Sequence, residues 1–223
     1  MKYRLTDEKK EWCGHILHRI EAVKDFADVK AGEKGGWIEQ EENLSQEDNC
    51  WVYGNAEVYG NARVCDNAEV YGNARVYGNA WVYGNAEVYG NARVRDNARV
   101  YGNARVCDNA RVCGDAKVYG NAEVCGDAKV YGNARVCGDA QVCDDAEIKT
   151  PDDLIHIIGI GSCNRPTTVF RTKENGLRVS CGCFCGDLNE FAAKVKETHG
   201  DSKYAWEYMS FIETVKIHFK VKE

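Results

Sequence analysis

The sequence has no apolar run of the roughly 20 residues needed to cross a bilayer. Its longest, Leu154 to Ile160, carries His156 and Gly159. It has no surplus of positive charge either: 29 Lys and Arg stand against 35 Asp and Glu, a formal net charge of -6, so no global attraction to nucleic acid is expected. The opening residues MKYRLTDEKKEW are charged and hold no apolar stretch of the kind a signal peptide requires. The 12 cysteines are therefore expected to be thiols of a cytoplasmic protein in a reducing compartment, not a secreted disulfide framework. Histidine is sparse, with His15, His18, His156, His199 and His218 all outside residues 52–147.

What fills 52–147 is a repeat. Val-Tyr-Gly-Asn-Ala-x runs without a gap from Val52 to Glu147 as 16 hexads, with valine first and alanine fifth in every one. A 3.6-residue period would scatter these valines around a helix, and its glycines would cost about 1 kcal/mol each. Alternation along a strand instead reads Ala, x, Val, Tyr as in, out, in, out, a strand of about four residues, with Gly-Asn left for the corner. Glycine reaches positive φ freely and Asn and Asp tolerate it, which accounts for Gly54-Asn55, Gly60-Asn61 and Asp66-Asn67. Such short strands are stable only if coils stack at about 4.8 Å and both ends of the stack are covered.

This pattern resembles the hexapeptide-repeat superfamily. The resemblance implies a left-handed triangular β-helix with three hexads per coil, here about five coils over residues 51–149. The fold class expected is mainly β, with an N-terminal cap over residues 1–50 and a small α+β C-terminal domain over residues 150–223. The words KYRL, DVKAGEKGGWI and LSQEDNCWVYGNA resemble the N-terminus of bacterial hexapeptide-repeat proteins labelled acyltransferases from their fold.

Stacking every third hexad sorts the outward x column into three ladders. The first is Glu57, Arg75, Arg93, Arg111, Lys129, Glu147; the second is Arg63, Trp81, Arg99, Lys117, Arg135; the third is Glu69, Glu87, Arg105, Glu123, Gln141. Two flats are mainly basic and one mainly acidic, which favours a closed homo-oligomer, a trimer, with unlike flats in contact. The other outward column holds nine tyrosines, including Tyr53, Tyr71 and Tyr89 on one flat and Tyr83, Tyr101 and Tyr119 on another. These tyrosines, with Arg75, Arg93, Arg111, Arg99 and Trp81, are the interface candidates. Cys107, Cys125 and Cys143 continue the first tyrosine column, but with no histidine beside them no metal site is assigned.

Pro151 marks the exit from the repeat. Strands at residues 167–173 and 177–184 flank Glu174-Asn175-Gly176, and Asn-Gly suits a type I′ hairpin turn. The second strand would line up Cys181, Cys183 and Cys185 on one face, as packing residues. Asp187-Leu-Asn-Glu190 is a capping box that opens a helix closed by Gly200, and a second helix runs from about Ser202 to Phe219. Gly182-Cys-Phe-Cys-Gly186 with Thr198-His199-Gly200 resembles a C-terminal module of phage and Firmicutes proteins, which suggests a phage or prophage source and a host cytoplasm.

Members of the superfamily that transfer acyl groups use a histidine on a coil or extruded loop. This repeat has neither, so no catalytic residue, cofactor or metal is assigned. The expected function is a non-catalytic, oligomeric scaffold that offers its wall and its C-terminal module to a protein partner. The alternative is sequestration of an anionic small molecule or nucleotide, an anti-defence role, at the turn containing Gly159, Gly161, Ser162, Asn164 and Arg165, with Arg171. That turn lacks the lysine and spacing of a P-loop.

Overall fold

A computed structural model of the protein describes residues 1–221. Its centre is a parallel β-solenoid of about six turns. Each hexad supplies one rung, such as Arg93–Val94 or Arg99–Val100, and rungs 18 residues apart pair in parallel: Arg75 with Arg93 and Arg93 with Arg111 on one flat, Trp81 with Arg99 on the next, Glu69 with Glu87 on the third. The three ladders thus have the composition expected. The valine and alanine columns are wholly buried, Val100 and Ala98 at 0% exposure. Three backbone bonds tie a typical hexad to the next coil, as when Arg99 donates to Ala116 (3.0 Å), Tyr101 to Val118 (3.0 Å) and Asn103 to Gly120 (2.8 Å).

The rungs are two residues long, not four. Tyrosine and alanine are the end residues of the corner turn, closed at several corners by the alanine amide bonding back to the tyrosine-position carbonyl, as Ala56 does to Tyr53 at 3.1 Å. Only the first residue of the Gly-Asn pair has positive φ, for example Gly102 at 74° and Asp66 at 59°. A Cβ on Gly102 would stand 3.0 Å from the amide nitrogen of Gly120. The asparagines do not occupy the left-handed region. Their side chains form ladders instead: Asn67 donates to Asn85, Asn85 to Asn103, and Asn103 to Asn121 at 2.9–3.1 Å, and the run ends where Asn121 donates to Asp139 (2.8 Å), an acceptor only.

At the N-terminal end β1 (Tyr3–Trp12) and β2 (His15–Ala22) form a hairpin, and β3 (Lys34–Ile38) pairs antiparallel with β2 and parallel with the first ladder, Trp37 against Glu57. The cap therefore prolongs one wall. Leu44 bridges to Val64 and Trp51–Val52 pairs with Glu69–Val70, completing a coil ahead of the regular hexads. Trp51 seals it, with Tyr3 and Phe26 edge-on at 6.0 and 5.2 Å.

Beyond Glu147–Ile148 the chain forms a four-stranded antiparallel sheet, Leu154–Ile157, Thr167–Arg171, Leu177–Cys181 and Phe184–Gly186, in that order. Its faces part company. Phe170 joins the solenoid core, while Val169 and Val179 pack under α1 (Leu188–His199) and α2 (Lys203–Phe219). Asp187 caps α1 by accepting from the amides of Asn189 and Glu190, and Gly200 ends it at φ 56°. Two local expectations fail. The strand proposed for 177–184 is two, because Gly182 turns the chain at φ 60°, so Ser180 pairs with Cys185 and the three cysteines do not share one face. The Asn-Gly hairpin is not type I′: Thr172 donates to Gly176 and Asn175 to Thr172, each at 3.0 Å, a three-residue loop with Asn175 alone at positive φ (59°). Among the described residues no helix is long and apolar enough to cross a membrane.

Candidate binding sites on the solenoid wall and its end units

The second flat is the most distinctive surface of the solenoid. Arg63 and Arg99 lie over the ring of Trp81 at 5.7 and 5.8 Å, and Trp81 itself is 41% exposed. In the adjoining column Tyr83, Tyr101 and Tyr119 stack nearly parallel at 4.9 and 5.0 Å. Among the described residues Arg63, Arg99, Lys117 and Arg135 form no ion pair. Burial, and next the neighbouring Tyr101, push the Tyr83 phenol above its ordinary value, so this tyrosine adds no negative charge to the wall at neutral pH. At the N-terminal end the wall opens into a groove of about 510 Å³ whose lining includes Glu41, Gln46, Arg63, Cys65 and Trp81.

The other flats differ. On the first, Glu57 pairs with both Lys10 of the cap (2.8 Å) and Arg75 (3.0 Å), and Trp12 covers the Arg75 guanidinium at 4.1 Å. The cap thereby neutralises that ladder's start, leaving Arg93, Arg111 and Lys129 without ion pairs among the described residues. On the third, Glu87 pairs with Arg105 (3.5 Å) and accepts from Tyr71 (2.9 Å), whose ring stacks on Tyr89 at 4.8 Å; Tyr53 donates to Asp28 of the cap (3.1 Å). Glu69 is raised above its ordinary pKa by burial, then by the charges of Asp28 and Glu87.

In the C-terminal module the structure brings some of the sequence-derived anion residues together and not others. Ser162 and Arg165 line a pocket of about 310 Å³ with Cys183, Lys194, His199 and Tyr208. The Gly161 amide is already bonded to the Glu207 carboxylate (2.8 Å). Gly159 and Asn164 lie in the same loop, both at positive φ (88° and 49°). Arg171 is elsewhere, at the opposite end of its strand from Thr167, paired with Asp153 (3.2 Å) and lying over Phe219 at 5.0 Å.

A third site was not visible in the repeat at all. The N-terminal hairpin carries His15 onto the solenoid wall, its ring 5.0 Å from that of Tyr59, which stacks on Tyr77. His15 Nδ1 is 2.8 Å from Glu39, whose other oxygen accepts from the Gly60 amide at 2.7 Å. Burial raises the Glu39 carboxyl, but the bonds from His15 and Gly60 outweigh it and hold the pKa below its ordinary value. A carboxylate on Nδ1 leaves Nε2 as the basic nitrogen. Cys13, His15, Tyr59, Tyr77, Arg75 and Arg93 line a cavity of about 410 Å³ beside Trp12.

The hexads match the family model described as the YdcK beta solenoid repeat, over residues 68–84, 98–114, 104–120 and 128–144. The repeat is a hexapeptide β-solenoid. YdcK, an uncharacterized acetyltransferase of Escherichia coli (strain K12), is 40% identical over 58 residues, which is 22% of this chain and 18% of that protein. The chain therefore matches less than a fifth of that relative's length.

The residues that sequence reasoning missed are His15 and Glu39, Lys194 and His199, and the approach of Cys185 to Cys143. His15 had one usable signal, its place at a Cys13-Gly14 turn beside Trp12. Nothing in the linear sequence indicates that β2 and β3 continue the wall past Glu57.

Proposed function

We propose that the protein is a non-catalytic scaffold that docks an acidic surface on its second flat, and that the acidic surface in the homo-oligomer is the third flat of another copy. The observation that carries this reading is the unpaired column Arg63, Arg99, Lys117 and Arg135 beside stacked tyrosines. Cations held one coil apart repel one another, and an opposing third flat, with Glu69, Glu87 and Glu123 around the single Arg105, relieves the basic row. Contact between unlike flats is heterologous and gives a closed ring where the rotation between copies closes; the ring proposed is a trimer, as in the superfamily that the repeat resembles. Twelve free thiols suit a reducing cytoplasm. The C-terminal module is left to contact a second protein. Sequestration of a nucleotide has less support, since Glu207 already occupies the Gly161 amide and Arg171 stands apart from Arg165.

Native mass spectrometry tests the scaffold. Wild type is expected as a trimer, Arg99→Glu with Lys117→Glu as a monomer, and further exchange of Glu87→Lys and Glu123→Lys should restore the trimer. A wild-type monomer, or a trimer indifferent to the reversals, overturns the reading.

One observation favours a second reading. The His15–Glu39 pair faces the wall in a cavity with two arginines, and the relative's printed name is acetyltransferase. Under this reading Nε2 of His15 is the general base toward an acceptor attacking an acyl thioester. Acyl transfer by wild type that falls at least about 100-fold in His15→Ala would establish it; no turnover would remove it.

A further inference from the structure

The last corner of the solenoid differs from the corners before it. Three earlier aspartates at the positive-φ corner position spend a carboxylate oxygen on the next coil: Asp66 accepts from the Gly84 amide (2.8 Å), Asp96 from Gly114 (3.2 Å) and Asp108 from Gly126 (3.0 Å). Asp144 occupies the same position at φ 55°, but no further coil follows it. The C-terminal sheet arrives there instead. Its Cys185 Sγ lies 3.2 Å from Asp144 Oδ2 and 3.3 Å from Cys143 Sγ, and Cys143 Sγ is 3.9 Å from the same carboxylate oxygen.

We propose that Cys143, Asp144 and Cys185 form a binding site for a zinc-class divalent cation, which ties the last coil of the solenoid to the C-terminal sheet. Tetrahedral zinc with thiolates at about 2.3 Å and a carboxylate oxygen at about 2.0 Å sets S···S near 3.8 Å and S···O near 3.5 Å. The three separations lie within about half an ångström of those edges, so side-chain rotation alone completes the geometry. Each thiol releases its proton to solvent as the cation binds. Two thiolates and one carboxylate then face the dication, and Arg178, shared between Asp144 (2.9 Å) and Asp145 (3.8 Å), offsets part of the remaining negative charge. Arg178 thus supports a ligand from outside the coordination sphere. Asp144 and Cys185 are exposed and Cys143 is half-buried, so a cation can enter, and the fourth position stays open to water. The site lies at the C-terminal end of the solenoid, at the foot of the column that begins with Tyr53, and shares no residue with the His15 cavity.

The test is a cobalt(II) titration of the full chain kept reduced by a phosphine. One equivalent should give a near-ultraviolet thiolate-to-cobalt band, displaced by one equivalent of zinc. Cys143→Ser and Cys185→Ser should each abolish it, and Cys183→Ser, at the adjacent turn, should keep it. Arg178→Ala should weaken zinc binding about tenfold. Zinc should also raise the unfolding temperature of wild type and not of Cys185→Ser. No band at one equivalent, or a band surviving both serine variants, overturns the site. So does a Cys143–Cys185 disulfide that forms in air, with loss of two thiols, whether or not zinc is present.

Discussion

Between Val52 and Glu147 the fully buried side chains are valines and alanines, repeated at the same two places in every hexad, whereas each end is closed by a few large residues used once. Tyr3, Leu44 and Trp51 fill the N-terminal end; Ile148 and Phe170 fill the other. A uniform core can be extended by any number of coils but cannot stop itself, because each coil leaves the next layer of amides and apolar surface open. The irregular ends supply the stop, and they also bring in the chemistry: His15 and Glu39 at one end, Cys185 and Arg178 at the other. In this chain the repeat provides rigidity and the interruptions of the repeat provide reactive groups.

The sharpest way to break that contrast is a charge in the uniform core. Val100→Asp puts a carboxylate at 0% exposure among alanines and valines with no partner, which should cost more than about 4 kcal/mol and abolish the cooperative unfolding transition seen by circular dichroism. Val23→Asp, at an exposed end position, should leave that transition in place. Next in size is Phe170→Ala, the plug of the C-terminal end, expected to cost about 3–5 kcal/mol. Its loss should appear in hydrogen exchange as protection falling first in the coil nearest Ile148 and last near Trp51. Uniform loss across all coils would mean the solenoid unfolds as one unit, with no special role for the plug.

A smaller effect tests the corners. Asn103 accepts from Asn85 and donates to Asn121, so Asn103→Ala removes two exposed side-chain bonds. It should destabilise by about 1–2 kcal/mol without changing the fold, measured as a shift of the urea midpoint at unchanged slope. The same substitution at Asn133, one coil beyond the point where the Asn61–Asn79–Asn97 ladder ends on the acceptor Asp115 and without a ladder bond among the described residues, should cost less.

The repeat was legible because its register depends on nearest neighbours. Once rungs are 18 residues apart, the partners of Arg93 and Trp81 follow by counting. What was not legible arose where counting stops. Asn55 and its equivalents were explained by backbone tolerance, because an amide ladder exists only after coils are stacked. The strand at 177–184 was drawn too long because Gly182 looks the same in a strand interior as in a turn. Arg165 and Arg171 sit six residues apart and look like one site, yet a strand carries them to opposite ends. His15 was set aside for lying outside the repeat, and β2 returns it to the wall.

The gentlest comparison concerns that last point, and it uses pH. Glu39 is held below its ordinary pKa by His15 and the Gly60 amide. A carboxyl with a depressed folded pKa contributes stability that is complete above its unfolded value, about 4.3, and is lost as pH falls through the folded value. Wild type should therefore lose unfolding temperature more steeply below about pH 5 than Glu39→Gln does, the two curves converging in acid. His15→Ala leaves the Gly60 bond and should fall between them. If the loss is confined to the docked hairpin, Trp12 fluorescence will report it while the circular dichroism of the coils holds. If the coils melt with it, the hairpin belongs to the solenoid's cooperative unit and His15 is as firmly placed as any residue of the repeat.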